Sequence, residues 1–465
     1  MPHSVWPVVV VGAGPAGLVA AITLARSGIR TLVLNRRNTV LSHPRATVVS
    51  LRSMELFRSW GLEPELWAGG DDVEWRMLVT TTLSEAASGS LIEVGYPTRS
   101  ESAQLSPTRP AAVPQDHLEM VLLNYLQSLP AAQVELALAA EDVWETTDGL
   151  RLRLHDDDGG MSRVIRARYV IGADGARSVV RQRLGVGSFT TEDLVKAHSV
   201  VFHAPLWGVV GSHRYGIYVT ETPTLASFFP AGQGDRWLYG FGLSREEQGM
   251  PPLTEDQAID RIRAGAGVTD LPVRVVDQNI FTFSGAIADR FRSGDAFLIG
   301  DAAHRVTPRG GTGMNTAIAD GFNLSWKLGW VLKGWAPDSL LDSYETERRP
   351  VAEHNLARSL DPMGSRRSVH DEVRFDLGDR FPHAWIETSV GRISSLDLLG
   401  PGLTRLSMDD LATQSDNQSE LPPVTRHRLD RKTAAALGAD RPGGILLRPD
   451  GVIWASSPSA ALAAA

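Results

Sequence analysis

The 465-residue chain has 43% hydrophobic and 22% charged residues, a balance typical of a globular protein with two or three domains rather than a disordered or fibrous one. Its 46 Lys and Arg against 54 Asp and Glu give a net charge of -8, so nothing indicates a nucleic acid or an anionic membrane as a partner. The absence of cysteine excludes disulfides, thiolate metal sites, iron–sulfur clusters and cysteine nucleophiles. We expect an unprocessed, soluble, cytoplasmic protein with no membrane span and no metal site.

The N-terminal segment predicts a strand, a glycine-rich turn, a helix and a second strand. The β-branched run Val8–Val11 precedes the turn, Leu18–Ser27 is the predicted helix and Thr31–Leu34 the second strand. In such a βαβ unit the first glycine permits a tight turn, the second lets a pyrophosphate approach the backbone and the third allows close helix packing. The pattern indicates a dinucleotide site, with helix packing alone as the alternative. The turn consists of Gly12, Ala13, Gly14, Pro15, Ala16 and Gly17.

The end of the second strand departs from the usual dinucleotide pattern. An acidic residue is expected there to bind the adenosine ribose, but the sequence has Asn35. An amide can accept one hydrogen bond and donate another without carrying the charge, so a ribose contact is predicted, with a simple turn residue as the alternative. Arg36 and Arg37 follow and face either the adenine and phosphates or the solvent.

Further along the chain, two more segments combine a strand with an acidic turn. Tyr169–Arg181 contains Asp174 and Gly175, and Phe297–Asp320 contains Asp301, His304 and a glycine loop. Between them, residues 186–290 alternate short aromatic strands with polar turns, which predicts an antiparallel sheet.

Together, these three motifs resemble the fingerprint set of the class A, single-component FAD-dependent aromatic hydroxylases. The resemblance implies an α/β fold: a Rossmann-like FAD-binding domain of residues 1–75, 110–185 and 290–365, with an inserted antiparallel-sheet substrate domain of residues 76–109 and 186–289. Residues 380–465 resemble the small thioredoxin-like C-terminal domain of many relatives, here without cysteines and therefore without dithiol chemistry.

The resemblance also implies which residues bind FAD. Asp301 is expected to accept a hydrogen bond from a ribityl hydroxyl, and the backbone at the start of the following helix is expected to approach the flavin pyrimidine edge. Asp174 either contributes to FAD and nicotinamide docking or braces its turn, and His304 is expected to brace the third motif. Carried over individually, the remaining cofactor-binding candidates are Arg45, Gln115, Val143, Pro308, Gly311, Gly313, Met314 and Asn315. For Arg45 and Gln115, a surface or capping residue is the alternative.

The substrate side is predicted from two features. Trp237, Tyr239 and Phe241 alternate along one strand and therefore share one face, either as a substrate-lining ceiling or as ordinary sheet core. Arg309, in the glycine loop, is a candidate catalytic residue that approaches the substrate or the flavin edge and favours an anionic or carbonyl-bearing ligand, with a solvent-facing arginine as the alternative.

In function, the resemblance implies a monooxygenase. NAD(P)H reduces FAD as a transient co-substrate, O2 reacts with the reduced flavin, and a flavin C4a-hydroperoxide hydroxylates an aromatic or polyketide-type small molecule. Baeyer–Villiger or antibiotic-inactivating oxygenation on the same scaffold, and a flavin-binding partner protein without oxygen transfer, are the alternatives. A homodimer is the assembly that we consider.

Overall fold

The computed structural model describes residues 5–39, 43–156, 162–244, 247, 251–389, 391–408 and 421–455. None of the helices in these ranges combines the length and the apolar character needed to cross a bilayer. In chain order, the strands are β1 (Trp6–Val11), β2 (Thr31–Asn35), β3 (Glu74–Thr80), β4 (Ser90–Ile92), β5 (Ala132–Leu136), β6 (Leu138–Thr146), β7 (Gly149–Asp156), β8 (Ser162–Gly172), β9 (Ser188–His203), β10 (Tyr215–Thr220), β11 (Ala226–Pro230), β12 (Arg236–Gly242), β13 (Arg274–Ala288), β14 (Arg292–Ser293), β15 (Ala296–Leu298), β16 (His304–Arg305), β17 (Trp385–Thr388), β18 (Gly391–Ser394), β19 (Leu403–Ser407), β20 (Val424–Arg428), β21 (Ile445–Leu447) and β22 (Ile453–Ala455). The helices are α1 (Pro15–Arg26), α2 (Leu51–Ser59), α3 (Glu63–Ala68), α4 (Arg99–Leu105), α5 (Gln115–Ser128), α6 (Val179–Arg183), α7 (Leu206–Val210), α8 (Glu255–Ala266), α9 (Gly313–Leu332), α10 (Ser343–Leu360), α11 (Val369–Leu377) and α12 (Arg431–Ala436).

The first large sheet is built around parallel strands. Five strands run in the order β15-β8-β1-β2-β5 with parallel pairing, and β6 and β7 extend the sheet as an antiparallel hairpin next to β8. Val8, Val9 and Val10 at the centre of the sheet are fully buried, and their core includes side chains of α1, α5 and α9. A continuous β-branched run is what a strand covered on both faces requires.

The second large sheet has the order β16-β13-β9-β12-β11-β10-β3-β4. Its pairing is antiparallel, as the sequence predicts, with one exception among the described strands: β3 pairs parallel to β10. The exception arises because the chain leaves the β3–β4 hairpin for the first sheet and returns to the second only at β9, so a long crossover precedes β10.

The two faces of this second sheet have different surroundings. On one side, which we call the helix face, Leu78, Phe202, Tyr218 and Phe228 pack with apolar residues of α7 and α8. Because side chains alternate along a strand, their neighbours point to the opposite side, which we call the loop face. The loop face carries Trp75, Met77, Ser199, Ile217, Val219, Ser227, Gly240 and Asp277.

The two large sheets correspond approximately to the two predicted domains. The first takes its strands from residues 6–35, 132–172 and 292–298, and the second mainly from 74–92 and 188–288. One strand crosses this division: β16 lies in the range predicted for the first domain but pairs with β13 of the second sheet. The exact domain boundaries stay predictions.

A small C-terminal part follows α11. Its four-stranded sheet has the order β20-β19-β21-β22, with β19 parallel to β20 and antiparallel to β21, around a core that includes Leu406 and Ile445. Arg448 joins this part to α10, because its guanidinium donates to Glu347 at 2.7 Å; it also donates, within the C-terminal part, to Asp450 at 2.6 Å. Its thioredoxin-like character stays a prediction.

Candidate active site

Three turns lie side by side at the carboxyl edge of the parallel sheet. β1 ends at Val11, which pairs with Gly172 of β8, and Gly172 pairs in turn with Leu298 of β15. Because the three strands are parallel, the turns that follow them meet at the same edge of the sheet. These turns contain the three predicted motifs, so segments that are far apart in the sequence come together as a single ligand site requires.

The first turn has the backbone geometry of a pyrophosphate site. Gly12 has a φ of +111°, and a Cβ on it would lie 2.3 Å from the carbonyl oxygen of Ala173. A Cβ on Gly17 would lie 2.0 Å from the carbonyl oxygen of Gly12, so α1 can pack this closely only on a glycine. At Gly14, in contrast, nothing lies within 4 Å of the Cβ position. That open space next to the free N–H groups of the α1 N-terminus fits a dinucleotide phosphate.

Asn35 holds the first turn against the end of β2. Its Oδ1 accepts from the N–H of Ala13 at 3.4 Å, and its Nδ2 donates to the carbonyl of Arg37 at 3.0 Å. A carboxylate could accept the first hydrogen bond but could not donate the second, which gives a physical reason for an amide here. Arg36 and Arg37 have exposed side chains. Contact of these three residues with ribose, adenine or phosphate stays a prediction.

In the second turn, Asp174 acts as a helix cap. Its carboxylate accepts from the Ser178 hydroxyl and from the N–H groups of Val179, at 2.7 Å, and Val180, at 3.1 Å. These are orphan donors at the start of α6, and their satisfaction is the bracing role that the sequence left open for this residue. Burial raises the pKa of Asp174. A direct contact with FAD or nicotinamide stays a prediction.

A buried network of hydrogen bonds and ion pairs around Asp320 stabilises the third turn. Asp320 of α9 is fully buried and accepts from the Gly300 N–H at 3.1 Å, from Arg348 Nε at 2.8 Å and from His304. Burial alone would raise the pKa of Asp320, but His304 and Arg348 outweigh it and hold that pKa below its usual range. His304 therefore has the bracing role predicted for it. The network fixes the turn that carries Asp301.

Asp301 lies beside a small cavity between the second and third turns. The cavity has a volume of about 130 Å³, and Arg181 and Arg305 also line it. Arg181 joins the two turns, because it donates to the carbonyl of Ala176 at 2.9 Å and to that of Ala302 at 2.9 Å. A carboxylate facing such a cavity is suited to accept from a ligand hydroxyl. The specific ribityl contact predicted for Asp301 stays a prediction.

The glycine loop before α9 is shaped by backbone demands. Gly310 and Gly311 have φ values of +82° and +66°, and a Cβ on Gly310 would lie 2.8 Å from the Arg358 side chain. The loop is closed by the Gly311 N–H, which donates to the Pro308 carbonyl at 3.1 Å, and the Tyr96 hydroxyl donates to the Gly311 carbonyl at 2.9 Å. Tyr96 thereby places the loop against the loop face of the second sheet.

The start of α9 presents backbone donors that the helix itself does not pair. The first internal hydrogen bond of this helix is donated by the Thr316 N–H, so the three preceding N–H groups have no acceptor within the helix. The side chain of Asn315 is fixed, since its Oδ1 accepts from the Ser50 N–H at 2.8 Å and its Nδ2 donates to the Val48 carbonyl at 3.2 Å. The donors belong to Gly313, Met314 and Asn315, which fits the predicted approach to a flavin pyrimidine edge.

Arg309 lies between the loop and the second sheet. Its guanidinium lies over the ring of Phe283 of β13, 5.6 Å from the ring centroid, and the side chain is half-buried. It is therefore not a freely solvated arginine, the alternative considered from the sequence. Whether it contacts substrate or flavin stays a prediction.

Two further candidates meet at the entrance of α5. The Gln115 N–H donates to the carbonyl of Ala46 at 2.9 Å, which places Gln115 next to the exposed Arg45. The Gln115 amide itself donates to Glu119 Oε1 at 2.7 Å, within the same helix. Val143 lies in β6 with its side chain in the core. Contacts of Arg45, Gln115 and Val143 with FAD stay predictions.

The aromatic strand residues correct one prediction. Trp237 and Tyr239 are completely buried and Phe241 is nearly so, and all three belong to the core of the helix face with Ile262 of α8. The shared face was predicted correctly, but it points away from the glycine loop. Their packing is that of sheet core, the alternative that the sequence left open.

The apolar wall near the loop consists of residues that no motif identified. Trp75 and Met77 of β3 cluster with Val48 and with Tyr96, whose ring centroid lies 5.5 Å from that of Trp75. A Cβ on Gly311 would lie 3.2 Å from Val48, so this wall adjoins the glycine loop directly. The alternation of Trp75, Met77 and Val79 was the available sequence signal, but it does not identify the element that packs on it.

Comparison with known proteins agrees with this geometry. A family model described as an FAD binding domain matches residues 6–359. The chain is 31% identical to the tetracenomycin B2 monooxygenase-dioxygenase of Streptomyces olivaceus and 31% identical to the aklavinone 12-hydroxylase of Streptomyces purpurascens, each over 98% of this chain and 96% of the relative.

Among solved structures, an aklavinone-11 hydroxylase in complex with FAD and aklavinone matches with a TM-score of 0.85 and 28% identity, covering 100% of this chain and 98% of that one. The predicted fold class is thereby confirmed for the FAD-binding and substrate-binding layers, and FAD is confirmed as the cofactor. The chain belongs to the class A FAD-dependent aromatic hydroxylases and is an FAD-dependent monooxygenase.

Proposed function

We propose that this monooxygenase uses NAD(P)H and O2 to hydroxylate a polycyclic phenol of the polyketide type. The observation that carries the proposal is the meeting of the glycine loop and the α9 N-terminus with a broad apolar wall on the loop face of the second sheet. The names of the relatives, which include hydroxylases of tetracenomycin and aklavinone, support the substrate class.

When bound, FAD accepts a hydride from a nicotinamide and, with O2, supplies the oxygen atom that is transferred. The residues of this chain orient the reactants and stabilise charge. The N–H groups of Gly313–Asn315 point from a helix N-terminus, so they stabilise negative charge at the pyrimidine edge of a reduced flavin. The open position at Gly14 and the N-terminus of α1 do the same for the pyrophosphate.

In this proposal, apolar contacts with the wall on the loop face, and not ion pairs, contribute most of the substrate binding. Trp75, Met77, Ile217 and Val219 present apolar side chains on the loop face, which suits a planar polycyclic ligand and excludes water from the reacting atoms. Arg309 of the glycine loop, whose guanidinium lies over the Phe283 ring, would favour a carbonyl or anionic substituent of the substrate.

The experiment is to incubate the FAD-loaded protein with NADPH or NADH, 18O2 and a panel of polyphenols that includes hydroxylated anthraquinones. We expect nicotinamide oxidation that is stimulated by substrate and a product that carries one 18O atom. NMR of the product separates ring hydroxylation from Baeyer–Villiger insertion. Hydrogen peroxide as the sole oxygen product with every substrate would contradict the proposal and favour a flavin-binding partner protein.

Two finer expectations belong to the same proposal. The cysteine-free sequence supports a reducing, cytoplasmic location, which fractionation of the native host would test. A homodimer is the assembly proposed, and light scattering of the FAD-loaded protein measures it directly.

A further inference from the structure

An aspartate, a histidine and a serine form a hydrogen-bonded chain on the loop face of the second sheet. His43 Nδ1 lies 2.9 Å from Asp277 Oδ2 of β13, and His43 Nε2 lies 2.8 Å from Ser199 Oγ of β9. None of the three belongs to the cofactor motifs. His43 lies in the segment before α2. This segment leads from the loop face of the second sheet to the start of α2.

The partners fix the direction of each hydrogen bond. A carboxylate that is ionised only accepts, so with Asp277 in that form the 2.9 Å contact requires the proton on His43 Nδ1. The Nε2 of a neutral imidazole then accepts, and the Ser199 hydroxyl is its donor. The other acceptor near that hydroxyl, the Asn279 carbonyl, is more distant at 3.4 Å. Ser199 Oγ therefore keeps lone pairs for an O–H donor that approaches from the site.

The position beside Ser199 is open to such a donor. Ser199 pairs with Gly240 of β12, and Gly240 pairs with Ser227 of β11, so the three lie in one row of the loop face. A Cβ on Gly240 would meet nothing closer than 3.9 Å. Because Gly240 has no side chain, open space remains next to the Ser199 hydroxyl. This space is on the loop face, toward which the glycine loop packs.

Exposure to solvent rises along the chain of residues. Ser199 is 5% exposed, the side chain of His43 is 13% exposed and that of Asp277 is 43% exposed. The hydrogen-bonded chain of side chains therefore leads from the buried Ser199 to the solvent-exposed Asp277. His198, the neighbour of Ser199, lies on the helix face with its ring centroid 5.5 Å from that of Phe241, and burial lowers its pKa.

We propose that Ser199, His43 and Asp277 form a proton relay that removes the proton from a phenolic hydroxyl of the bound substrate. The phenol proton passes to Ser199 Oγ as the serine proton passes to His43 Nε2, which leaves a phenolate and an imidazolium. Asp277 stays ionised and stabilises the imidazolium through the hydrogen bond from Nδ1–H, and the imidazolium gives its extra proton from Nε2 to water after the product leaves. A phenolate is a stronger nucleophile toward an electrophilic oxygen than a phenol is. In this relay Ser199 is the catalytic residue, and His43 and Asp277 act through it.

The relay rests on the proposed phenolic substrate, so its test measures ionisation separately from turnover. The probe is 1,8-dihydroxyanthraquinone, whose visible absorption changes on ionisation, bound to the FAD-loaded protein and titrated from neutral to alkaline pH. The variants are Ser199→Ala, His43→Gln and, as the conservative control, Ser199→Thr, which keeps the hydroxyl on a residue suited to a strand.

We expect the wild-type protein and Ser199→Thr to ionise the bound probe at a pH at least about one unit lower than Ser199→Ala and His43→Gln do, a tenfold difference in the ionisation constant. The flavin absorption spectrum shows that each variant is folded and loaded. A merely structural role of the three residues would weaken probe or FAD binding but leave the ionisation of the bound probe unchanged.

The outcomes separate the relay from the proposed function. If the wild-type protein forms an 18O-labelled product but all variants ionise the bound probe at the same pH, the relay is overturned and the proposed function stands. If the wild-type protein oxygenates only substrates without a phenol and does not bind the probe, the proposed substrate class and the relay both fall.

Discussion

Replacing Gly14 with alanine would separate the cofactor site from the fold. Gly14 has φ -79° and ψ -179°, which alanine adopts without strain, and nothing lies within 4 Å of the new Cβ. Alanine is a poorer N-cap than glycine by about 0.5–1 kcal/mol, and the loss of unfolded-state freedom returns about 0.4–1 kcal/mol. We therefore expect the unfolding free energy of the apoprotein to change by less than about 1 kcal/mol.

FAD binding should respond quite differently to the same methyl group. The Cβ enters the space through which a pyrophosphate reaches the N–H groups of α1, so we expect the Kd for FAD to rise at least about tenfold, or about 1.4 kcal/mol. The assay is flavin fluorescence during titration of the apoprotein, together with its thermal unfolding.

Two matched variants complete this test. Gly208→Ala in α7 also adds a methyl group in open space but lies outside the site, so its FAD affinity should equal that of the wild-type protein. Gly17→Ala places a Cβ 2.0 Å from the Gly12 carbonyl and should destabilise the apoprotein itself, by about 1–3 kcal/mol or more. An unchanged FAD affinity in Gly14→Ala would refute the assignment of this turn to the pyrophosphate.

Three other changes test the remaining parts of the site. Asp320→Asn leaves the Arg348 charge buried without its counter-ion and should lower the unfolding free energy by about 3–5 kcal/mol in denaturant titration. Because the folded pKa of Asp320 lies below its usual value, its contribution to stability is complete above the unfolded pKa of about 4 and is lost as the pH falls through the folded pKa; the variant should lack this dependence. Trp237→Ala should lower the unfolding free energy by about 3–5 kcal/mol, because the side chain is core, and a variant of wild-type stability with altered substrate choice would contradict that placement. Arg309→Ala should raise KM for carbonyl-bearing or anionic polyphenols while leaving thermal unfolding nearly unchanged, and an unchanged KM for all of them would remove its proposed role.

The parts of the site that could be predicted from the sequence are those where the backbone itself is the constraint. Gly12 requires a positive φ, Gly17 a close approach of two backbones, and Gly310 and Gly311 positive φ values in consecutive positions. Such demands strongly favour glycine, so they leave a pattern that is visible in one sequence. The strands before the turns are equally visible, because they are buried on both faces.

The parts that could not be predicted depend on partners distant in sequence. The alternation at Trp237 and Tyr239 shows that they share a face, but only the packing of α8 on that face decides that it is core. Likewise, the amide at Asn35 is explained by the carbonyl of Arg37, whose orientation is a property of the folded turn. The parallel pairing of β3 with β10 depends on the route of the chain through the first sheet.

The segment from His43 to Ser53 contacts both the second sheet, where the substrate is proposed to bind, and the start of α9, where the flavin is proposed to bind. At one end His43 binds Ser199 and Asp277 of the sheet, and a few residues later Val48 and Ser50 hydrogen-bond the side chain of Asn315 at the start of α9. We therefore expect a ligand that shifts the sheet end of this segment to act also on the backbone donors proposed for the flavin. Coupling of this kind is reciprocal, so FAD loading should tighten phenol binding by the same factor by which the phenol tightens FAD binding. Unequal factors, or no change in phenol affinity on FAD loading, would show that the proposed substrate and cofactor sites are not coupled through this segment.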